Sequence, residues 1–357
     1  MTTDTIGSVS GEVRSAETVH TGIRTWLASG ALSSDAGAIC AWREAGDGAL
    51  AFEYPEISGY ALTRFAGRVD PSPAERRTAH AAGRWLTERI AAGDRSARAG
   101  WDGGAIYTFD LGMIAAGLIS WGEASGEGRF AGAGRGVAAR LAELVASPEG
   151  LWSVDPAGPP TARESQWSTT GRPHLVKCVQ ALLLAGEDEA ADELAASAER
   201  WASSEGFFET QPESGFTMLH PHLYTVEGLW IWASAREDSG AMDLARRATE
   251  WAWRHQLPGG GLPRFAPTGA DSHPGDAPEQ LDVTGQAVRA ALLTGADVDG
   301  LERAVARLRS VAVETPDGHA LPYQPQAEPH LNAWVSMFGG QALEIADGAR
   351  IGWEELI

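Results

Sequence analysis

Lysine is nearly absent from this chain of 357 residues: Lys177 is the only one, and the other basic residues are arginines. Basic side chains total 28 against 48 acidic ones, a formal net charge of -20. A surface that negative repels phosphate backbones and anionic lipid, so neither nucleic acid nor a membrane surface is an expected partner. Cysteine is as scarce. Cys40 and Cys178 supply neither a disulfide framework nor a multi-thiolate metal site, and Cys178, among Leu175, Val179 and Leu182, reads as a small core residue. No metal and no cofactor is expected. Long apolar runs are missing too: none approaches the roughly 18 residues of a membrane span, and Met1–Ser10 lacks the apolar stretch of a secretory signal. The expected location is the cytoplasm.

What the chain has is hydrophobic residues (43%), 14 tryptophans and a helical rhythm. Apolar positions predict amphipathic helices at about 13–29, 72–93, 129–147, 188–204, 238–256 and 298–313. Between them lie more apolar helices, beginning near residues 55, 107, 168, 219, 279 and 330. A helix apolar nearly all round is a buried one. The apolar helices recur about every 50–60 residues, a period that marks helical hairpins. Six hairpins can close into a ring, apolar helices inside and amphipathic ones outside, with the first helix packing beside the last inner one. The predicted fold is therefore all-α, a single (α/α)6 toroid over residues 1–357. Residues 1–12 are expected to be flexible, and short strands, such as one at 49–54, are confined to loops on one face. Links leaving the apolar helices are short (Gly186-Glu187, Glu237-Asp238). Links entering them are long and carry glycine, aromatic and acidic residues. The functional face is then the end of the ring where the inner helices start, where backbone N–H groups and helix dipoles also converge.

The inner helices carry polar residues where buried helices normally have none. His220, Tyr224 and Glu227 fall at i, i+4 and i+7, one narrow stripe of a helix otherwise made of Leu, Val, Ile and Trp. Asp282, Gln286 and Arg289 repeat that stripe. Glu56, Asp110, His174 with Lys177, and His330 with Asn332 give the remaining inner helices polar groups. Any one of these has a structural explanation: acids suit helix N-termini, and buried ions pair with neighbours. Six helices directing polar groups to one axis point instead to a polar central cavity. The catalytic candidates are Glu56, Asp110, His220, His222, Tyr224 and Asp282. The substrate-binding candidates are Trp101, Trp167, His174, Lys177, Glu227, Gln286, Arg289, His330 and Asn332. Aromatics near the loop-rich face suit a sugar ring, whose C–H face stacks while its hydroxyls bond to acids and amides. They equally suit a polyprenyl chain, through cation–π attraction to a carbocation.

Four phrases carry a likeness to known proteins: Tyr54-Pro55-Glu56-Ile57-Ser58-Gly59-Tyr60, Tyr107-Thr108-Phe109-Asp110-Leu111-Gly112, His222-Leu223-Tyr224-Thr225-Val226-Glu227-Gly228-Leu229 and Asp282-Val283-Thr284-Gly285-Gln286-Ala287. Over about residues 50–345 the chain resembles bacterial α/α-toroid proteins of the six-hairpin glycosidase-like and terpenoid-cyclase-like kind. The resemblance implies a carbohydrate-active enzyme working on a sugar or glycosylated metabolite, by glycoside hydrolysis, uronate lysis or sugar epimerisation. Two of Glu56, Asp110, Glu227 and Asp282 would then serve as acid and base. Alternatively a His or Tyr would take a proton while Lys177 or Arg289 holds a carboxylate. The motifs Asp-x-Asp-Asp and Asp-Asp-x-x-Asp of terpene chemistry are missing, and so is the Cys-His pair of a zinc toroid. The alternatives are a terpenoid-cyclase-like or other natural-product cyclase or isomerase, and a non-catalytic ligand-binding toroid. The expected partner is a small-molecule or oligosaccharide substrate; oligomeric state is left open.

Overall fold

The computed structural model describes residues 18–93, 104–147, 151–161, 167–169, 173–211, 214–268, 277–325 and 330–357. The segment 1–12 and Trp101 lie outside them. Among the described residues are twelve α-helices: α1 (Val19–Ala28), α2 (Pro55–Ala66), α3 (Pro73–Ala91), α4 (Thr108–Ser125), α5 (Gly128–Val145), α6 (Val179–Ala185), α7 (Asp188–Ser197), α8 (Leu219–Arg236), α9 (Ser239–Trp253), α10 (Leu281–Thr294), α11 (Leu301–Ser310) and α12 (Ala333–Ala346). They form an (α/α)6 toroid. Going round the inner ring, α2 packs on α4, α4 on α6, α6 on α8, α8 on α10, α10 on α12, and α12 back on α2. The outer helices α3, α5, α7, α9 and α11 each pack on the inner helix before them in sequence, and α1 covers α12. No described helix is long and apolar enough to cross a membrane.

Burial explains which helices went inside. Most residues of α4, α8, α10 and α12 are buried, whereas α3 and α5 bury only a stripe. Backbone contact holds the first inner pair together. A Cβ on Gly59 would lie 2.4 Å from the Met113 carbonyl oxygen, and one on Gly117 would lie 2.2 Å from that of Gly59, so only glycine lets α2 and α4 meet this closely. Short strands sit in the entry loops: β1 (Trp42–Glu44) pairs antiparallel with β6 (His330–Asn332), β2 (Phe216–Met218) with β3 (Phe265–Pro267), and β4 (Val313–Thr315) with β5 (Gly318–Ala320). The first pair joins the opening and closing loops of the ring.

Two elements depart from expectation. The third inner element does not run as a helix from 168: a 3-10 turn covers Pro173–Cys178 and α6 follows. Pro173 has no N–H to continue a helix from before it and suits a first turn. The expected strand at 49–54 is reduced to isolated bridges, Arg43 with Leu50 and Cys40 with Glu53.

At the far end of the ring the last residues fold inward. Trp353–Glu355 form a 3-10 turn, and Leu356 and Ile357 are fully buried. Gln180 Nε2 donates to the carbonyls of Trp353, Glu354 and Leu356, Gln341 Nε2 to that of Glu355, and Arg289 to that of Ile357. The segment stoppers the ring, so a pocket entered from the loop-rich face is blind.

Candidate active site

The pocket opens where the inner helices start. It has a volume of about 270 Å³, at the small end for ligand sites. Pro55 begins α2 and sets Glu56 in its first turn, facing the pocket; Asp110 and Asp282 hold the same place in α4 and α10, and His220 in α8. His174 reaches the pocket from the 3-10 turn, and Trp167 from the loop before it. Of the catalytic candidates, Glu56, Asp110, His220, Tyr224 and Asp282 all line one cavity.

Asp282 is held by three N–H donors. The Val283 backbone N–H donates to its Oδ1 at 2.8 Å, and Gln280 Nε2 and Trp334 Nε1 donate to its Oδ2, each at 3.2 Å. His220 Nδ1 is 3.6 Å from the same Oδ2 and 2.6 Å from Gln286 Oε1. With Gln286 accepting, Nδ1 carries the proton and Nε2 is left as the basic nitrogen. The His220 ring meets Tyr224 at 4.4 Å and Trp167 at 5.8 Å, and Trp167 crosses His174 edge-on at 5.2 Å. Below this layer Tyr224, which lines the pocket, packs on Phe338 and Phe338 on Tyr60, closing the floor from behind. Burial pushes the phenols of Tyr60 and Tyr224 well above their usual range, helped at Tyr60 by Tyr224 and Glu56 and at Tyr224 by Glu56 against the opposing effect of Tyr60, so neither is a phenolate base.

Beneath the floor lies a second polar layer that does not line the pocket. Arg289 donates to Glu227 Oε1 at 2.5 Å, Lys177 Nζ stands 3.3 Å from Glu227 Oε2, and all three side chains are at most 1% exposed. Arg289 also lies over the Phe338 ring at 4.4 Å and donates to Gln341 Oε1. Lys177 finds its counter-charge here, as a buried cation must. The binding role expected of Lys177, Glu227 and Arg289 is thus replaced by support of the floor.

His222 also sits elsewhere. Two residues beyond His220 on a helix is a turn of about 200°, so it faces outward. Its Nδ1 accepts from the Phe208 N–H at 3.2 Å, its Nε2 bonds the Ala248 carbonyl at 3.0 Å, and burial pushes it down to about 4. Both ring nitrogens are spent on backbone. Asn332 caps α12, its Oδ1 accepting from the Val335 N–H, and His330 stacks on Trp42 at 4.9 Å behind the rim. Gln286 does not line the pocket but bonds His220, which does.

Several lining residues were not anticipated: Trp42, Phe52, Tyr54, Phe109, Ser168, Met218, Arg264, Gln280 and Trp334. Most belong to loops and cap positions, where no periodicity marks them. Gln280 was the most legible, a polar residue set directly before the apolar start of α10.

No protein-family model matches this chain, and no curated protein does. Solved structures do match in fold. An unsaturated glucuronyl hydrolase from a Bacillus species, described as responsible for glycosaminoglycan degradation, superposes with a TM-score of 0.65 at 13% identity, covering 94% of this chain and 98% of that one. A cellobiose 2-epimerase from Bacillus thermoamylovorans gives 0.68 at 13% identity, covering 91% and 99%. An inactive variant of an α-1,6-mannanase from Salegentibacter, in complex with α-1,6-mannotriose, gives 0.63 at 8% identity, covering 92% and 98%. All are similar to this chain in fold.

Proposed function

We propose that this protein hydrolyses a glycoside, holding one sugar ring at the blind end of the pocket. The observation that carries the reading is Asp110 and Asp282, both buried to within 5% and both lining the cavity, on helices that face each other across the ring. Packed helices lie about 8–10 Å apart, so opposite members of a six-membered ring stand about 18 Å apart axis to axis. With each carboxylate reaching about 5 Å from its axis, roughly 8 Å remains between them. That is the spacing of an inverting pair, which leaves room for a water on the far face of the sugar.

In the step proposed, Asp110 gives its proton to the glycosidic oxygen as the bond from that oxygen to the anomeric carbon breaks. A water attacks the opposite face of that carbon and passes a proton to Asp282. Glycoside and water become free sugar and alcohol, and solvent exchange resets both carboxyls. Three N–H donors fix the Asp282 carboxyl in place, as suits the group that positions the attacking water. Glu56 and Arg264, which also line the cavity, would bond the sugar hydroxyls. Fold neighbours named for a glucuronyl hydrolase, a cellobiose 2-epimerase and an α-1,6-mannanase support a sugar as the substrate.

Incubation with a panel of 4-nitrophenyl glycosides, neutral hexosides and pentosides beside uronides, tests the proposal. One sugar should be cleaved, and Asp110→Asn and Asp282→Asn should each lower kcat at least a hundredfold. Cleavage unaffected by either substitution would refute it.

One observation favours a second reading. His220, with Nδ1 bonded to Gln286 and Nε2 available, is arranged as a base that could move a proton on a sugar carbon, which is isomerisation. Deuterium from solvent entering recovered sugar, with no alcohol released, would decide for it.

A further inference from the structure

The pocket has two unlike halves. Acids and imidazoles occupy one; the other is an arc of rings donated by the opening and closing loops of the toroid. Along it Trp42 meets Phe52 at 5.5 Å and 86°, Phe52 meets Tyr54 at 5.3 Å, Tyr54 meets Trp334 at 6.5 Å and 84°, and Trp334 meets Tyr323 at 5.7 Å and 65°. All five line the cavity.

Two features of this arc bear on what it binds. First, three of its polar tips already have partners within the protein. Trp42 Nε1 donates to Glu44 Oε1 at 2.8 Å, Trp334 Nε1 to Asp282 Oδ2, and the Tyr323 hydroxyl accepts from Gln280. The two indole N–H groups are therefore engaged, and the rings offer mainly hydrocarbon surface. Second, three of the four ring pairs cross at steep angles, so the arc is a cornered box. A sugar subsite needs a flat ring face with donors and acceptors beside it for the hydroxyls, because an unbonded hydroxyl carried into such a box loses its water without replacement. An apolar ring loses nothing there and gains edge and face contacts on several sides.

We propose that the leaving alcohol of the substrate is an apolar, ring-bearing aglycone seated in the box of Trp42, Phe52, Tyr54, Trp334 and Tyr323. The substrate is then a glycosylated hydrophobic small molecule rather than an oligosaccharide. This rests on the hydrolytic reading above for the sugar half of the site. The strongly acidic chain fits an uncharged aglycone, as an acidic one would be repelled.

The test uses alcohols of similar leaving ability, so that binding and not bond strength is compared. The sugar selected by the 4-nitrophenyl panel, or glucose if it selects none, is presented as its methyl, 2-phenylethyl and disaccharide glycosides. The corresponding methyl and 2-phenylethyl thioglycosides are titrated by calorimetry. The 2-phenylethyl glycoside should show a kcat/KM at least about tenfold above the other two, mainly through KM. Trp42→Ala should bring that ratio towards one, and Trp42→Phe should restore most of it. Cleavage without preference, or with preference for the disaccharide, would overturn the aglycone proposal and leave hydrolysis standing. If nothing is cleaved, hydrolysis fails. Tighter binding of the 2-phenylethyl thioglycoside, lost in Trp42→Ala, would then still support the box, and equal binding of the pair would overturn it.

Discussion

Replacing Glu227 with glutamine removes the one negative side chain that two buried cations share. Arg289 and Lys177 meet its two oxygens at 2.5 and 3.3 Å. The cations do not respond alike. Burial has already pushed Lys177 down to about 8 against the opposing attraction of Glu227, so without that attraction it sheds its proton at neutral pH. Arg289 cannot do so. It keeps Gln341, the Ile357 oxygen and the Phe338 ring, but loses the side-chain carboxylate it meets at 2.5 Å. Removing one partner of a buried pair costs about 3–5 kcal/mol. With an unfolding entropy of about 2.1 cal/mol/K per residue, about 4 kcal/mol lowers Tm by roughly 5 °C in a chain this long. Lys177→Met should behave differently, because it takes away a desolvated cation and leaves the Glu227–Arg289 pair intact; it should stay within about 1 kcal/mol of wild type at pH 7. The two proteins also separate by pH. The unfolded chain holds the Lys177 proton up to an ordinary value of 10.5 while the folded one releases it from about 8, so wild-type stability gains with rising pH across that window and is unaffected by this group below it. Lys177→Met should lack that gain. Urea unfolding followed by tryptophan fluorescence at pH 7 and 10 reads every term. A loss under 1 kcal/mol in Glu227→Gln, or an equal loss in Lys177→Met, would refute the reasoning.

Other substitutions probe the frame. His222 is ordinarily 6.5 but held at about 4 by burial, so its folded form resists a proton that the unfolded chain accepts. Stability is then lost as pH falls from about 6.5 towards 4, and His222→Gln should flatten that fall in melting curves while glycoside turnover stays within a few-fold of wild type. A thousandfold loss of turnover in a folded His222→Gln protein would return this residue to the chemistry. Gly117→Ala forces a methyl to within 2.2 Å of the Gly59 carbonyl oxygen and should cost about 1–3 kcal/mol or more in urea; no change would mean that α2 and α4 are not in backbone contact.

The ring and its polar axis were legible because both are periodic. Apolar helices recurring about every 50–60 residues announced the inner wall, and the i, i+4, i+7 stripe brought out His220, Tyr224 and Asp282, with Gln286 behind His220, without any distance. The same stripe misled at its deeper end. Glu227 and Arg289 lie two turns down, where α8 and α10 are already closed by Phe338 and the last residues of the chain; a one-dimensional pattern carries no depth. His222 was proposed by residue type against its own helical phase, which turns it outward. Trp42, Trp334 and Arg264 stayed hidden because they stand in loops or just inside a helix start, where pairing between the first and last loops, not local spacing, sets direction.

The most direct measurement is the anomeric form of the sugar at the moment of release, followed by proton NMR before mutarotation while the best glycoside of the panel is consumed. Carboxylates on opposite walls predict the inverted anomer as first product, with release stopped in both Asp110→Asn and Asp282→Asn. The retained anomer, or release that survives both substitutions, would contradict the account.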